Sequence, residues 1–395
     1  MNVRTAKKAE CRIDTSYVRR FRMQSYGRDN LYPQKLRLIT EASGTAELCL
    51  NRYARFIEGY GLNNEIASDL IINDSNETLD DILHLVSEDL ARYGGFALHV
   101  NYNVLGEITN IHHVPFEDCR LEEGDDRGVV SHILVHPDWT GRATRNGEPL
   151  RVDEKNVKRI NVFNPDRSVV ATEIENTGGI DNYLGQILWV SKSGKDVYPI
   201  PIYDAAVTEI STDEGLSNVK YRNVRHGFMV SCMLITKKRV ERIDGDTGET
   251  TEDGHMVSVD DLTDFQGDEK TGKIMLVELE SDEEKPEVVK FPSKNFDKEF
   301  SVTDESVIER IYAQFHQELF YAIRMGKLGF SGQVMRDAYE YYAGEVTTEQ
   351  RMIERALERI MGYWHDEAAK NLDYVLQPMK YISSENINNN SIENE

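Results

Sequence analysis

The chain has 395 residues, 39% hydrophobic and 29% charged, with a formal net charge of −23. That length suits two or three domains or one elongated multi-part fold, with core enough to need no covalent staples. The acidic balance excludes tight wrapping of nucleic acid, which needs a basic face, though an acidic surface can let DNA pass without sticking.

Cys11, Cys49, Cys119 and Cys232 are far apart and form no CxxC pair, so they read as buried or free thiols in a reducing compartment. No apolar run approaches a membrane span, and the N-terminus lacks the apolar core of a signal peptide. Composition therefore points to a soluble, ordered protein that works or is assembled in cytoplasm.

In chain order, the first 36 residues are basic, with nine Lys/Arg against three acids. They end in the turn-rich stretch Tyr26 to Pro33, which Pro33 is expected to finish in extended form. Leu38, Ala42, Ala46, Leu50 and Ala54 recur every four residues and predict one helix from Lys35 to Gly59. Leu79, Ile82, Leu83, Val86 and Leu90 predict a second, Thr78 to Tyr93. The period then changes to two: Gly95 to Tyr102 and Ile108 to Val114 alternate as strands around Asn103 to Glu107. Further strands are expected at Val129 to Val135, Arg159 to Phe163 and Gln186 to Val190. The fold class is α+β.

Pro199 and Pro201 set an extended entry to a helix from about Ile202 to Arg225, with Tyr203, Ala206, Val207 and Ile210 on its stripe. A second long helix is expected from Asp304 to Arg324, N-capped by Thr303, with Ile308, Ile311, Tyr312, Phe315, Leu319, Ala322 and Ile323 as its apolar face. Gly326, Gly329 and Gly332 then interrupt it, since each glycine costs about 1 kcal/mol against alanine in a helix. A further helix pauses at Gly344 and restarts with Thr347-x-x-Gln350, a capping-box pattern. Its core face is Ile353, Ala356, Leu357, Ile360, Met361 and Trp364. Ser383 to Glu395 is rich in asparagine and serine and is expected to be disordered.

Between the two long helices lies an insert, Glu241 to Lys290, with seventeen acidic and five basic side chains. About half the chain's excess negative charge sits there, which marks a special surface.

Several motifs invite a chemical reading and lack what it requires. Gly267 to Lys273 matches a phosphate loop until Ile274 replaces the Ser/Thr that would hold magnesium. Ile274 to Val277 then reads as a strand, so no helix N-terminus faces a phosphate, and a charged hairpin turn is the plainer account. His112, His113, Glu117, Asp118 and Cys119 carry metal-ligand chemistry, but adjacent strand histidines face opposite ways and no second ligand pair follows. Asp244 to Glu249 hints at a calcium loop, yet Glu249 and His255 stand where glycine and an acid belong. Ser217-x-x-Lys220 lacks the partner motifs of the penicillin-binding enzymes. No nucleophile–base–orienter set can be built, so no enzyme activity, cofactor or metal is expected.

Four blocks together carry a resemblance: Tyr26-Gly27-Arg28-Asp29-Asn30-Leu31-Tyr32-Pro33 followed by a helix ending Phe56 to Gly61; Asp89-Leu90-x-x-Tyr93-Gly94-Gly95-Phe96; Val114 to Arg120; and Tyr198-Pro199-Ile200-Pro201-x-Tyr203 leading to Gly227-Phe228. In this order, over nearly the whole chain, the set resembles the portal proteins of tailed bacteriophages. The resemblance implies a wing at 1–201, stem helices at 202–228 and 301–324, and a clip at 229–300. It further implies a tunnel loop at 325–333, returning wing helices at 334–377, and a short crown or tail at 378–395.

Arg324, Lys327, Leu328, Phe330 and Gln333 would then face DNA, and Asp244, Asp246, Glu249, Glu252, Asp253, Asp260 and Asp261 would dock partners. Tyr203, Val207, Ile210, Ile308, Ile311, Phe315 and Leu319 would pack the stem. Such proteins form homo-oligomeric rings of twelve at one capsid vertex of the virion. Double-stranded DNA passes through the ring, which contacts the terminase large subunit, the major capsid protein and head-completion or adaptor proteins, and no membrane. The competing readings are an α+β adaptor of low oligomeric state and a nucleotide-binding enzyme using Gly267 to Lys273.

Overall fold

The computed structural model describes residues 15–126, 128–145, 148–192, 197–226, 230–237, 241–243, 250–252, 273–279, 288–290, 296–329 and 331–381, with only the backbone described at 145 and 222–302. The chain up to Ile210 and again from Glu309 makes one compact unit, and Ser211–Ile308 makes another.

The first unit begins with a hairpin of β1 (Tyr17–Val18) and β2 (Met23–Gln24). The single helix expected at Lys35 to Gly59 is two, α1 (Tyr32–Ala42) and α2 (Gly44–Glu58). Ser43 between them is extended, and its Oγ accepts the amide of Ala46, so a serine able to cap ends one helix and starts the next. Each helix then keeps its own phase. Leu38 and Ala42, expected in the core, are exposed, and Leu36 and Thr40 are buried instead. Pro33 opens α1 rather than an extended segment, because a first-turn residue needs no amide donor.

After α3 (Glu65–Ser68) comes α4 (Leu79–Tyr93), started by a reciprocal Thr78–Asp81 capping box and ended by left-handed Gly94. Its predicted stripe is buried in full. β3 (Gly95–Tyr102), β4 (Ile108–Val114), β5 (Cys119–Leu121) and β6 (His132–Val135) follow, then the small pair β7 (Thr144–Arg145) and β8 (Glu148–Pro149). β9 (Lys158–Val162), α5 (Arg167–Asn176) and β10 (Gln186–Ser191) complete a six-stranded sheet of order β4-β3-β10-β9-β6-β5. Every neighbouring pair is antiparallel except β9 and β10, which are parallel. That pair needs a crossover, and α5 lies within it.

α6 (Val207–His226) leads to the insert, where β11 (Val230–Lys237), β14 (Lys273–Leu279) and β15 (Val288–Lys290) form a sheet ordered β14-β11-β15. β12 (Glu241–Ile243) and β13 (Thr250–Glu252) pair separately. The described residues between α6 and α7 are all strand.

The chain returns through α7 (Phe296–Gln314), α8 (Glu318–Arg324), α9 (Gly332–Glu345), α10 (Thr347–Met361) and α11 (Glu367–Lys370). Two expectations are corrected here. Thr303 is not the N-cap of α7, because the helix starts at Phe296 and runs through it. The Thr347–Gln350 capping box does not form: Thr347 Oγ1 donates to the carbonyls of Ala343 and Gly344, and Gln350 is buried, donating to the carbonyls of Phe56 and Ile57. The predicted core face of α10, from Ile353 to Trp364, is buried throughout.

The four sequence blocks meet in one place. Tyr26 and Tyr198 stack at 4.0 Å, and the Tyr26 hydroxyl donates to the Pro199 carbonyl at 2.9 Å. Arg120, fully buried, donates through Nε to Asn30 Oδ1, through Nη2 to the Asn30 carbonyl, and through Nη1 to the carbonyls of Glu117 and Cys119, all within 2.6–2.8 Å. Asn30 reaches this position through a left-handed backbone, φ 63°. Asp89 accepts from His113 Nε2 at 2.7 Å and from the Phe116 amide at 2.9 Å, and Tyr93 stacks on Phe116. Gly95 passes so close that a Cβ would lie 2.7 Å from the Val190 carbonyl and 2.9 Å from the Phe116 ring.

Candidate functional site

The segment that leaves this junction becomes the helix pair. Pro199 and Pro201 precede Tyr203, whose ring stacks on Phe315 at 5.2 Å and whose hydroxyl donates to the Arg92 carbonyl. Gln314 donates to the Ile202 carbonyl at 2.6 Å, and Arg310 pairs with Glu209 at 3.4 Å. As one strand of chain advances from 202 to 209 its partner retreats from 314 to 310, so the start of α6 and the end of α7 are antiparallel. Tyr203, Ile210, Ile311 and Phe315 are buried; Val207, Ile308 and Leu319 are half-buried.

Within the second unit, α6 and α7 are joined by the ion pair Lys220–Asp304, at 2.7 Å. Along α6, every residue from Ser217 to Tyr221 is exposed, including Val219 at 39% and Tyr221 at 59%. Five consecutive residues cover the full circumference of a helix at 3.6 per turn. This turn therefore presents apolar surface at Val219 and Tyr221, just beyond the buried Asp213 and Leu216 of the same helix.

The expected helix Asp304 to Arg324 is broken at Phe315, His316 and Gln317, where His316 adopts φ 57°. Gln317 is fully buried. Its Nε2 donates to the Cys49 carbonyl and the Tyr342 hydroxyl, both at 2.8 Å, and its Oε1 accepts from Arg52 at 3.1 Å. The Arg52 guanidinium also lies 4.6 Å over the Phe320 ring. The break shifts the apolar phase, which is why Phe320, not Leu319, enters the core. Sequence reasoning missed Gln317, and the shift from Phe315 to Phe320 is the signal that could have revealed it.

α8 ends in a Schellman-type cap. Gly326 is left-handed at φ 68°, and the Lys327 amide reaches back to the Ala322 carbonyl. All described residues from Arg324 to Gln333 are exposed. Two cations there are tethered: Arg324 donates to the Tyr312 hydroxyl at 2.9 Å, and Lys327 Nζ lies 5.3 Å over the Tyr321 ring. Leu328 lies in this loop. Phe330 falls outside the described residues. Gln333, expected in the loop, belongs to the first turn of α9, because the Ser331 side chain caps that helix by accepting from the Val334 amide. Glycine at 332 is thus tolerated at a helix start.

Of the acidic residues proposed for docking, Glu252 ends β13; Asp244, Asp246, Glu249, Asp253, Asp260 and Asp261 lie outside the described residues, as do 267–272 of the phosphate-loop match. Lys273 begins strand β14, so its position opens no helix.

The former metal-ligand candidates have other partners: His113 is paired with Asp89, His112 stacks against His99, and Glu117 accepts from Arg37 and Tyr93. Burial, with the Glu117 carboxylate nearby, pushes Asp118 up to about 7. Cys49 and Cys119 are buried and unbridged. Among the described residues no helix is long and apolar enough to cross a membrane.

No protein-family model and no curated protein matches this chain. Solved structures similar to it include the neck of a native gene transfer agent particle computed with C12 symmetry (TM-score 0.49, 12% identity, 91% of this chain and 87% of that one). A chain of the native gene transfer agent virion gives 0.45 at 12% identity, covering 92% and 86%. A phage portal protein of the HK97 family from Corynebacterium diphtheriae gives 0.33 at 10% identity, covering 80% and 88%.

Proposed function

We propose that this protein is a phage-type portal: a ring of identical chains, built on antiparallel helix pairs, through which double-stranded DNA is packaged and later released. The observation that carries this reading is the solvent-exposed turn of α6 from Ser217 to Tyr221, where Lys220 pairs with Asp304 of α7. An isolated helix gains most of its stability from tertiary packing of an apolar face, so a turn exposed all round calls for neighbours. Further copies of the same pair supply them through head-to-tail contacts, which close into a ring. α8, which follows α7 after the break at His316, leads into the exposed loop after Arg324, the segment that would meet DNA.

The charge distribution favours transit over retention. Every tight Lys/Arg–phosphate contact adds binding that must be broken as DNA moves, and the exposed loop carries two tethered cations, Arg324 and Lys327. The acidic insert between the helices would dock partners with basic surfaces, the terminase and head-completion proteins, by contacts that weaken with salt. The capsid vertex of a virion, assembled in host cytoplasm, is the corresponding location. The role is structural and requires no catalysis.

Mass in solution is the direct test. Twelve copies of the 45.3 kDa chain give about 540 kDa, and negative-stain images should show rings with a central hole. A particle of one or two chains under all assembly conditions would leave the low-oligomer adaptor as the better reading. Neutralising Arg324 and Lys327 together should alter packaging or DNA retention; unchanged values would remove both residues from the channel's working surface. The nucleotide-enzyme alternative finds no support in the fold, since Lys273 starts a strand and offers a phosphate no helix N-terminus.

A further inference from the structure

The two ends of the six-stranded sheet carry opposite charge. β5 is the last strand at one edge, and the β1–β2 hairpin lies against it through the bridge Met23–Glu122 and the Glu123 amide bonded to the Arg22 carbonyl. The hairpin tip is Arg19-Arg20-Phe21-Arg22. Its three arginines are exposed and make no ion pair among the described residues, and Phe21 anchors the tip edge-on to Trp139 at 6.5 Å. Arg159, on β9, has its basicity lowered by burial and then by nearby Arg22, and its counter-ion is the buried carboxylate of Glu122. Glu123 and Asp125 border the tip, so the patch is basic at its summit and mixed at its base.

At the other edge stands β4. The Ile111 amide donates to the Ile72 carbonyl, and Asn110 donates to Asp74, so the segment between α2 and α4 flanks this strand. Residues 56–91 hold nine acidic side chains and no lysine or arginine. Glu65, Asp69 and Asp74 are exposed there without a basic partner among the described residues, around Ile66 and Ile71, which are 70% and 56% exposed. Both sheet edges are flanked, β4 by Ile72 and Trp364 and β5 by the hairpin, so strand addition is not the mode of contact.

We propose that the arginine tip at the β5 edge of one copy docks on the acidic, isoleucine-bearing segment at the β4 edge of the next. Two complementary patches at opposite ends of one sheet, about five strand spacings or roughly 24 Å apart, define a heterologous contact, the kind that closes into rings. Unlike charges select this register, and two like edges repel. The proposal rests on the ring reading and names the contact between its wings.

The test uses two charge-reversed full-length chains, Arg19→Glu/Arg20→Glu/Arg22→Glu and Glu65→Lys/Asp69→Lys/Asp74→Lys, each checked for native circular dichroism. Each alone should fail to assemble and stay at 45.3 kDa under conditions where the wild type forms particles. An equimolar mixture should regain particles, because acidic-edged and basic-edged copies can alternate. If both variants assemble alone like the wild type, the edge contact is wrong and the ring reading stands. If the wild type itself never exceeds a dimer, both fall. Particles from both variants, with duplex-DNA binding lost only from the arginine variant, would assign the tip to nucleic acid and overturn the proposal.

Discussion

The junction around Arg120 and the helix–loop segments around Val219 and Lys327 are built on opposite principles. At the junction a guanidinium with no exposure finds five acceptors, and every ring around it has a stacked or edge-on neighbour. In the α6 turn the side chains face solvent on every side, and in the loop after Arg324 each cation touches a single tyrosine. Satisfied buried groups hold one chain together. Apolar and charged groups left exposed on regular backbone are the ones available to other molecules.

Substitutions should separate the two kinds of region, and the largest effect is expected at the junction. Arg120→Ala strands buried carbonyls of Asn30, Glu117 and Cys119, and should cost roughly 3–5 kcal/mol, read as a large fall in urea midpoint or as insoluble protein. Arg120→Lys should not restore it, since an ammonium cannot reproduce the planar fork. An Arg120→Ala chain with wild-type stability would break the comparison.

Gln317→Leu comes next. It removes the donor to the Cys49 carbonyl and the Tyr342 hydroxyl and the acceptor of the Arg52 guanidinium, and should cost about 2–3 kcal/mol by denaturant titration. The same change should loosen the break between α7 and α8, visible as faster amide exchange at 318–324.

Asp118 gives a smaller effect, with a sign. Its folded pKa, about 7, is above the unfolded value, so the folded chain holds a proton that the unfolded chain releases between about pH 4 and 7. Stability therefore falls as pH rises through that window. Asp118→Asn should raise Tm at pH 8 by a few degrees, on the order of 1 kcal/mol, and change little at pH 4. Equal shifts at both pH values would rule out the buried-carboxyl account.

Val219→Asp should have the least effect on the single chain, within about 0.5 kcal/mol, because the site is exposed. Its consequence should appear in particle mass. Assembly indifferent to this change would mean that the exposed turn is not where copies meet.

Local regularity was legible in the sequence. The period-four stripe of α4, the alternation of β3 and β4 and the core face of α10 stand where their patterns put them, because helix and strand geometry fix which residues share a face. The helix–insert–helix order was legible for the same reason. The breaks were not. Ser43 can sit in a helix or cap one, and His316 has no sequence mark of a left-handed residue. Pro33 and Gly332 read as stops although each opens a helix.

By itself, then, the chain determined its element types, its acidic insert and its polarity of charge from end to end, since these depend on neighbours a few residues away. Only the tertiary structure decided that four scattered blocks meet at one junction around buried Arg120, Tyr26 and Phe116, that Gln317 bridges α2 and α9, and that the basic hairpin and the acidic segment occupy opposite edges of one sheet. Those facts rest on contacts between residues up to 268 positions apart, where no local period can reach.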